Sequence, residues 1–347
     1  MVDCPSCGSP DCITPAEDVL CKAMNMYSPC GSCMNEVPLE KLKPFESLGL
    51  KLDAGYRRCP SCGRRHLDVV MAHVMDVLIG SGCMSGRSPL KDVGTPLIRY
   101  GVPLMEPPRL GSREVVMIVD NVDSDTARKI MDEVPEIKGV LLRKGSPVKS
   151  VGILDTNTSP HLYKLMAGCD MRADVVSCAL GELVFYRNQS EIHIEFWRNN
   201  STKIKMIERL FMEGMLEGRV VVDGFAGVGT LGLFTALIGA KKVILNDAWL
   251  PAIRNLILNI EANKNLLGVE VVRIADITQL SEIGEEPVLV ARATGLVDIE
   301  VYHGDFRNLD SVVPDCDICI IDTFPMVNPA PFTEKWKEMT NERIVTL

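Results

Sequence analysis

Three pairs of cysteines, each separated by two residues, lie within the first 62 positions of this 347-residue chain. The pairs are Cys4 with Cys7, Cys30 with Cys33, and Cys59 with Cys62. Two of them are written Cys-Pro-Ser-Cys-Gly, in which proline and glycine shape a turn that points both sulfurs at one ion. Two such pairs complete a tetrahedral site, so we predict bound zinc here, with an iron–sulfur cluster as the alternative.

The grouping of these cysteines remains open from the sequence. The second and third pairs are suitably separated for a zinc ribbon. The first pair then needs two further ligands, for which the candidates are Cys12, Cys21 and His66. Alternatively, the first pair joins one of the other two. Three more cysteines stand alone and are expected to be small buried apolar residues, namely Cys83, Cys169 and Cys178.

Four arginines flank the third cysteine pair, and these are Arg57, Arg58, Arg64 and Arg65. They can contact phosphates, or they form a solvated basic surface. The net charge of −9 provides no overall basic footprint. A nucleic-acid partner therefore has to be held by a local patch such as this one.

A glycine-rich turn is the second feature that points to chemistry. Residues 219–223 form a short apolar run of the kind found in buried parallel strands, and Gly224, Gly227 and Gly229 follow before a predicted helix that starts at Thr230. Glycine permits positive φ and a close approach to a ligand, and a helix N-terminus favours an anionic or carboxylate group. The alternative is a tight strand-to-helix connection without a ligand.

An acid follows this turn at the spacing that ribose binding requires. The next predicted strand, residues 242–247, ends at Asp247, whose carboxylate can accept hydrogen bonds from ribose hydroxyls. Asp247 can equally cap the helix predicted at 251–263, and the two roles can coexist. A dinucleotide would satisfy the same two features, so they do not separate NAD from S-adenosylmethionine (SAM).

The turn and its surroundings resemble class I SAM-dependent methyltransferases, and most of all the archaeal and eukaryotic tRNA guanine-N1 methyltransferase group. The similar segments are residues 222–229, 243–253 and 259–263, which carry a D-x-F-A-G-V-G turn and an N-D-x-x-P-x-A continuation. Residues 195–200 and a helix at 203–216 stand where that group has its lead-in to the SAM fold. The resemblance implies SAM as cofactor and RNA, tRNA in particular, as methyl acceptor.

The resemblance also implies a set of cofactor contacts. In it the turn passes beside the methionine part of SAM, one acid holds the ribose, and an acid at the end of the third strand lies near the adenine amine. The residues so assigned are Asp223, Gly224, Phe225, Gly227, Gly229, Asp247, Asp305 and Phe306.

Asp276, at the end of an earlier apolar run, is the alternative for the acid near the adenine amine. We favour Asp305, because Phe306 after it supplies an apolar wall and the next strand follows directly. This choice makes residues 269–298 an insertion relative to the family pattern.

The fourth predicted strand, residues 316–322, ends in the turn Asp322-Thr323-Phe324-Pro325. Amino-directed methyltransferases carry an N/D-P-P-Y or N-L-P turn at this place, which orients the target nitrogen. Only Asp322 and Pro325 match that pattern, and they are the catalytic candidates. The alternative is that these residues form a simple turn at the end of a strand, without a catalytic role. Methyl transfer is an in-line displacement on an activated sulfonium, so positioning supplies most of the catalysis.

The pattern of elements predicts three units. Residues 1–90 form a cysteine-rich zinc module with a helix at 67–79, and residues 91–200 a small α+β domain with strands at 114–120 and 139–143 around a helix at 124–134. Residues 201–347 form an α/β, Rossmann-type SAM-binding domain. After Pro325 only a helix at 333–341 and the segment 344–347 follow, so we expect a shortened sheet whose cleft another domain or a second subunit completes.

Composition narrows the class of protein. No run approaches the roughly 20 apolar residues of a membrane span, and the N-terminus lacks the features of a secretory signal. Paired cysteines then indicate metal binding in a reducing compartment, so we expect a cytoplasmic protein that can form oligomers. The leading hypothesis is a SAM-dependent RNA methyltransferase. The alternatives are a protein or small-molecule acceptor, transfer of the aminocarboxypropyl group of SAM, and a non-catalytic protein that binds zinc and SAM.

Overall fold

A computed structural model describes residues 3–23, 25–143, 163–192, 197–323 and 327–347, without the side chains of residues 197–201. Pro325 and residues 195 and 196 of the predicted lead-in therefore lie outside the described residues. In the part of the chain that is described, no helix is both long and apolar enough to cross a membrane.

The N-terminal region contains two α-helices, α1 (Ala16–Ala23) and α2 (Leu67–Gly80). The second confirms the helix predicted at 67–79. It is apolar on almost every side and its residues are buried, as expected of a helix inside a core. It begins at His66, whose Nδ1 accepts a hydrogen bond from the amide of Asp68 at 3.0 Å.

The strands of the first half are short. They are β1 (Arg65–His66), β2 (Thr95–Ile98), β3 (Tyr100–Gly101), β4 (Arg109–Leu110), β5 (Val115–Val119), β6 (Ile137–Arg143), β7 (Tyr163–Gly168), β8 (Met171–Cys178) and β9 (Gly181–Asn188). Strands β2, β5, β6 and β7 form one sheet, in which β5 and β6 run parallel and are joined by α3 (Ser124–Glu133). This confirms the predicted strand, helix and strand.

A second small sheet has the order β3-β8-β9. The hairpin predicted from residues 182–186 and 192–197 includes residues 193–196, which lie outside the described part of the chain. Within the described residues, β9 forms a hairpin with β8. Only two residues, Ala179 and Leu180, connect β8 to β9, which is the shortest common hairpin loop.

The C-terminal half is a layered α/β structure. Its strands are β10 (Val220–Asp223), β11 (Lys242–Asp247), β12 (Val269–Arg273), β13 (Val288–Gly295), β14 (Asp298–His303), β15 (Cys316–Ile321) and β16 (Thr340–Thr346). Its helices are α4 (Trp197–Met212), α5 (Thr230–Leu237), α6 (Leu250–Leu267) and α7 (Ala330–Trp336). The sheet order is β12-β13-β14-β11-β10-β15-β16, and its core is the parallel sheet that the alternating pattern predicted for a Rossmann-type domain.

Five neighbouring strands of this sheet, from β14 to β16, run parallel. Strands β12 and β13 form an antiparallel hairpin that extends the edge beside β14. The third strand of the parallel core is therefore β14, which lies beside β11. The hairpin of β12 and β13 lies outside this core, at the edge of the sheet.

The bounds predicted for the last helix, 333–341, are wrong. Helix α7 begins at Ala330 and ends at Trp336, whose fully buried indole fixes the end of the helix against the sheet. Residues 340–346 contain β-branched Thr, Ile and Val, and they form β16 parallel to β15.

Candidate cofactor site and metal centres

The glycine turn connects β10 to α5 at the carboxyl end of the parallel strands. Gly227 and Gly229 have φ of +54° and +94°, which L side chains rarely adopt. A Cβ on Gly224 would lie 2.5 Å from the ring of Phe306, and one on Gly229 would lie 2.4 Å from Leu256. A Cβ on Gly227 would meet nothing within 4 Å, so the backbone faces open space at this point.

Asp223 ends β10 and is almost completely buried. Its Oδ2 accepts a hydrogen bond from the amide of Gly232 at 3.0 Å, whereas Oδ1 has no hydrogen-bond partner among the described residues. Burial, together with the nearby carboxylate of Asp322, raises the pKa of Asp223 to about 7. A cationic group bound here would stabilise the ionised carboxylate.

Asp247 ends β11 and joins two backbone segments. Its Oδ2 accepts from the amide of Gly227 and its Oδ1 from the amide of Trp249, both at 2.8 Å. Burial raises the pKa of Asp247 in spite of these donors. The carboxylate thus supports both the glycine turn and the start of α6, and each oxygen keeps a second lone pair for a ribose hydroxyl.

Asn246 was not singled out in the sequence, although it belongs to the N-D-x-x-P-x-A motif. Its buried Nδ2 donates to the carbonyl oxygens of Gly224 at 3.2 Å and Gly304 at 3.0 Å, which joins the ends of β10 and β14. Its Oδ1 and the Oγ1 of Thr230 are buried without a hydrogen-bond partner among the described residues, as is Asp223 Oδ1. Unpaired buried polar atoms are costly, so three of them around one turn are the pattern expected of a ligand site.

The topology separates the two candidates for the third acid. Asp305 directly follows β14, the strand beside β11, whereas Asp276 follows the edge strand β12 and accepts a hydrogen bond from the amide of Thr278. The carboxylate of Asp305 is held by Arg307, whose Nε and Nη2 lie 2.8 and 2.7 Å from Oδ2. An adenine amine would therefore share this carboxylate with a guanidinium.

Phe306 belongs to a cluster of aromatic rings. It stacks on Trp336 at 4.6 Å between ring centroids, makes an edge contact with Phe225 at 5.3 Å, and lies tilted against Phe332 at 6.1 Å. Phe306 is buried in this arrangement, so the predicted apolar wall is part of the core beneath Gly224.

Asp322 follows β15, the strand beside β10. Its Oδ2 accepts a hydrogen bond from Lys203 Nζ of α4 at 2.6 Å. Pro325, the second residue proposed for catalysis, lies outside the described residues. Of the two catalytic candidates, the structure therefore describes only Asp322, which lies near Asp223.

Of the groupings that the sequence left open, the structure shows the one that joins Cys30, Cys33, Cys59 and Cys62. Neighbouring sulfurs lie 3.7, 3.6 and 3.9 Å apart. A tetrahedral zinc site with Zn–S bonds of about 2.3 Å has sulfurs about 3.8 Å apart. The four thiols therefore fit zinc.

A second cluster consists of Cys4, Cys7, Cys12 and Cys169. The sulfur of Cys169 lies 3.7 Å from those of both Cys4 and Cys12. The prediction that Cys169 stands alone is therefore wrong, because the turn after β7 carries it to the N-terminal segment. Of the other candidates, Cys21 is exposed and His66 begins α2.

The four arginines near the third cysteine pair are engaged within the protein. Arg65 is fully buried and forms an ion pair with Glu136, which also pairs with Arg58 at 2.7 Å. Arg64 donates to the carbonyl oxygen of Met26, and Arg57 donates to a backbone carbonyl at 2.9 Å. Neither of the predicted roles, phosphate contact or solvated surface, fits the buried Arg65.

No family model and no curated protein matches the sequence. Among solved structures, TYW2 from P. horikoshii in complex with MeSAdo is 16% identical with a TM-score of 0.42, covering 79% of this chain and 76% of that chain. The tRNA m1G37 methyltransferase of M. jannaschii is 16% identical with a TM-score of 0.38, covering 79% and 62%. The structure of aTrm5 in complex with tRNALeu is 18% identical with a TM-score of 0.37, covering 67% of this chain and 55% of that chain. The chain thus spans less than two thirds of the last two proteins.

Proposed function

We propose that the protein is a SAM-dependent methyltransferase that acts on RNA, with tRNA as the acceptor class. One observation carries the proposal. Asp223 and Asp247 end two neighbouring parallel strands, Asp305 comes just after a third, and the three acids surround a glycine turn that leads into a helix. Ligands of open α/β sheets bind at this edge, and the motif resemblance assigns these three acids to SAM.

The charge around the turn favours SAM over a dinucleotide. A dinucleotide places its anionic pyrophosphate at such a turn. Here burial and the nearby carboxylate of Asp322 already raise the pKa of Asp223, and a further anion would add to the repulsion between the two acids. SAM carries a sulfonium and an ammonium group, both of which the two acids attract. The unpaired acceptors Asp223 Oδ1 and Asn246 Oδ1 also fit a ligand that brings hydrogen-bond donors.

The residues of the site have separate tasks in this proposal. Asp247 accepts hydrogen bonds from a ribose while it holds the amide of Gly227 in place. Asp322, itself oriented by Lys203, orients the acceptor nitrogen. Bound SAM supplies an already activated methyl group, so alignment of the acceptor for in-line attack is the main requirement and a dedicated base is not needed.

The acceptor assignment rests on the motif resemblance. A second candidate, a protein side chain or a small molecule, is favoured by the net charge of −9 and by the internal use of Arg58 and Arg65. Methyl incorporation into separate RNA, protein and small-molecule fractions distinguishes the two.

Calorimetric titration with SAM and with NAD tests the cofactor. The metal-loaded protein is expected to bind SAM and not NAD. Asp247→Ala is expected to weaken SAM binding roughly 10- to 100-fold, since hydrogen bonds to a charged group contribute about 1.5–3 kcal/mol each. Asp247→Asn keeps the shape of the side chain should the alanine variant be unstable. Asp276→Ala, which changes an exposed acid at the sheet edge, is the matched control and should bind SAM normally. Binding of NAD, or equal SAM affinity in all variants, would contradict the proposal.

A further inference from the structure

Three asparagines form a row along one face of α6. They are Asn255, Asn259 and Asn263, spaced four residues apart, and all three are fully buried. A primary amide transferred from water to a protein interior is unfavourable unless its donors and acceptors are paired. The partners of this row therefore indicate what it does.

The row pairs with the backbone of β9. Asn259 accepts from the amide of Tyr186 at 2.7 Å and donates to its carbonyl oxygen at 3.1 Å. Asn263 makes the same two bonds with Val184, at 3.0 and 2.7 Å. Asn255 accepts from the amide of Asn188 at 3.3 Å.

The two spacings explain why this pairing works. Four residues of α-helix rise about 6.0 Å, and two residues of β-strand rise about 6.6 Å. Alternate residues of β9 thus meet successive asparagines of α6. On its other side β9 pairs with β8. The asparagine row therefore takes the place of a neighbouring strand at the edge of the small sheet.

Asn259 differs from its two neighbours in one bond. Its Nδ2 also donates to the carbonyl oxygen of Val228, in the glycine turn, at 2.9 Å. The corresponding bonds of Asn263 and Asn255 go to carbonyl oxygens of α6 itself, those of Asn259 and Pro251. Within the row, only Asn259 links β9 to the glycine turn.

We propose that Asn259 is a positioning residue that fixes the glycine turn for cofactor binding and couples it to the β8–β9 hairpin. The turn is then held from both sides, because Gly227 donates to Asp247 while Val228 accepts from Asn259. The proposal rests on the proposed function in naming SAM as the ligand and, for the kinetic readout alone, tRNA as the acceptor.

Asn259→Ala and Asn263→Ala form a matched pair of variants. Each removes the same two bonds to β9, so both should lower the unfolding midpoint to a similar extent. Only Asn259→Ala removes the bond to the turn, and it is expected to weaken SAM binding roughly 3- to 10-fold, as for one buried hydrogen bond. The KM for SAM should rise likewise, with the KM for total tRNA unchanged.

Hydrogen exchange without ligand provides a readout that does not depend on SAM. Peptides covering residues 224–230 should exchange faster in Asn259→Ala than in Asn263→Ala. Asn259→Leu, which has a similar side-chain volume and lacks the donor to Val228, serves if the alanine variant does not fold. Equal exchange of the turn in the two alanine variants would overturn this inference. Failure of the wild-type protein to bind SAM would overturn the proposed function instead.

Discussion

Replacing Asp223 by asparagine is expected to stabilise the protein, and to do so increasingly as the pH rises. The carboxylate is buried at the end of β10, and its Oδ2 accepts a hydrogen bond from the amide of Gly232. Asparagine can accept the same bond through its carbonyl oxygen and carries no charge. The substitution therefore removes the cost of a buried charge and keeps the local geometry.

The magnitude follows from the raised pKa of about 7, against an ordinary value of 3.8. A group whose pKa is higher in the folded state binds protons more tightly there, so its cost is absent below about pH 4 and complete above about pH 7. Each pKa unit corresponds to about 1.4 kcal/mol. The stabilisation by Asp223→Asn should therefore grow from near zero at pH 4 to about 4 kcal/mol at pH 7, and then stay constant.

Urea unfolding at pH 5, 6, 7 and 8, followed by tryptophan fluorescence, measures this difference. All three tryptophans lie at positions 197, 249 and 336, so the signal reports on the C-terminal half of the chain. Asp276→Asn is the control, because hydrogen bonds from Thr278 lower the pKa of Asp276, and its replacement should bring no gain at high pH. A difference between Asp223→Asn and wild type that is the same at pH 5 and pH 8 would refute the reasoning.

Two further substitutions test the metal centres and the buried arginine. Cys169→Ala should reduce the bound metal, measured by mass spectrometry, from two equivalents to one, whereas Cys21→Ala should keep two; two equivalents in both would contradict the second cluster. Glu136→Gln should lower the free energy of unfolding by about 3–5 kcal/mol, because it leaves the fully buried Arg65 without its counter-charge. Glu133→Gln, at the end of α3, should change it little, and equal losses in the two variants would argue against a structural role for the ion pair.

Local patterns accounted for most of the C-terminal fold. Strands β10 and β11 are short apolar runs bounded by charged residues, which is typical of buried parallel strands. The glycine spacing then located the turn between β10 and α5 within a residue. The three cysteine pairs were recognised because each is local in sequence, whereas the fold decides that Cys30, Cys33, Cys59 and Cys62 form one cluster.

Contacts between distant segments could not be predicted in this way. Cys169 joins Cys12 across 157 residues, and Arg65 meets Glu136 across 71. An arginine beside a metal-binding turn usually indicates an exposed basic surface, and only the fold reveals its buried carboxylate. The asparagine row of α6 likewise reads as a polar helix face, because the backbone of β9 that it meets is not visible in the spacing.

Transfer of radiolabelled methyl groups from SAM to RNA tests the central claim most directly. Metal-loaded protein is incubated with methyl-labelled SAM and with separate tRNA, protein and small-molecule fractions, alongside Asp247→Ala. The account predicts label in tRNA with the wild-type protein and loss of that label with the variant. Tight SAM binding without incorporation into any fraction, or incorporation that Asp247→Ala leaves unchanged, would contradict it.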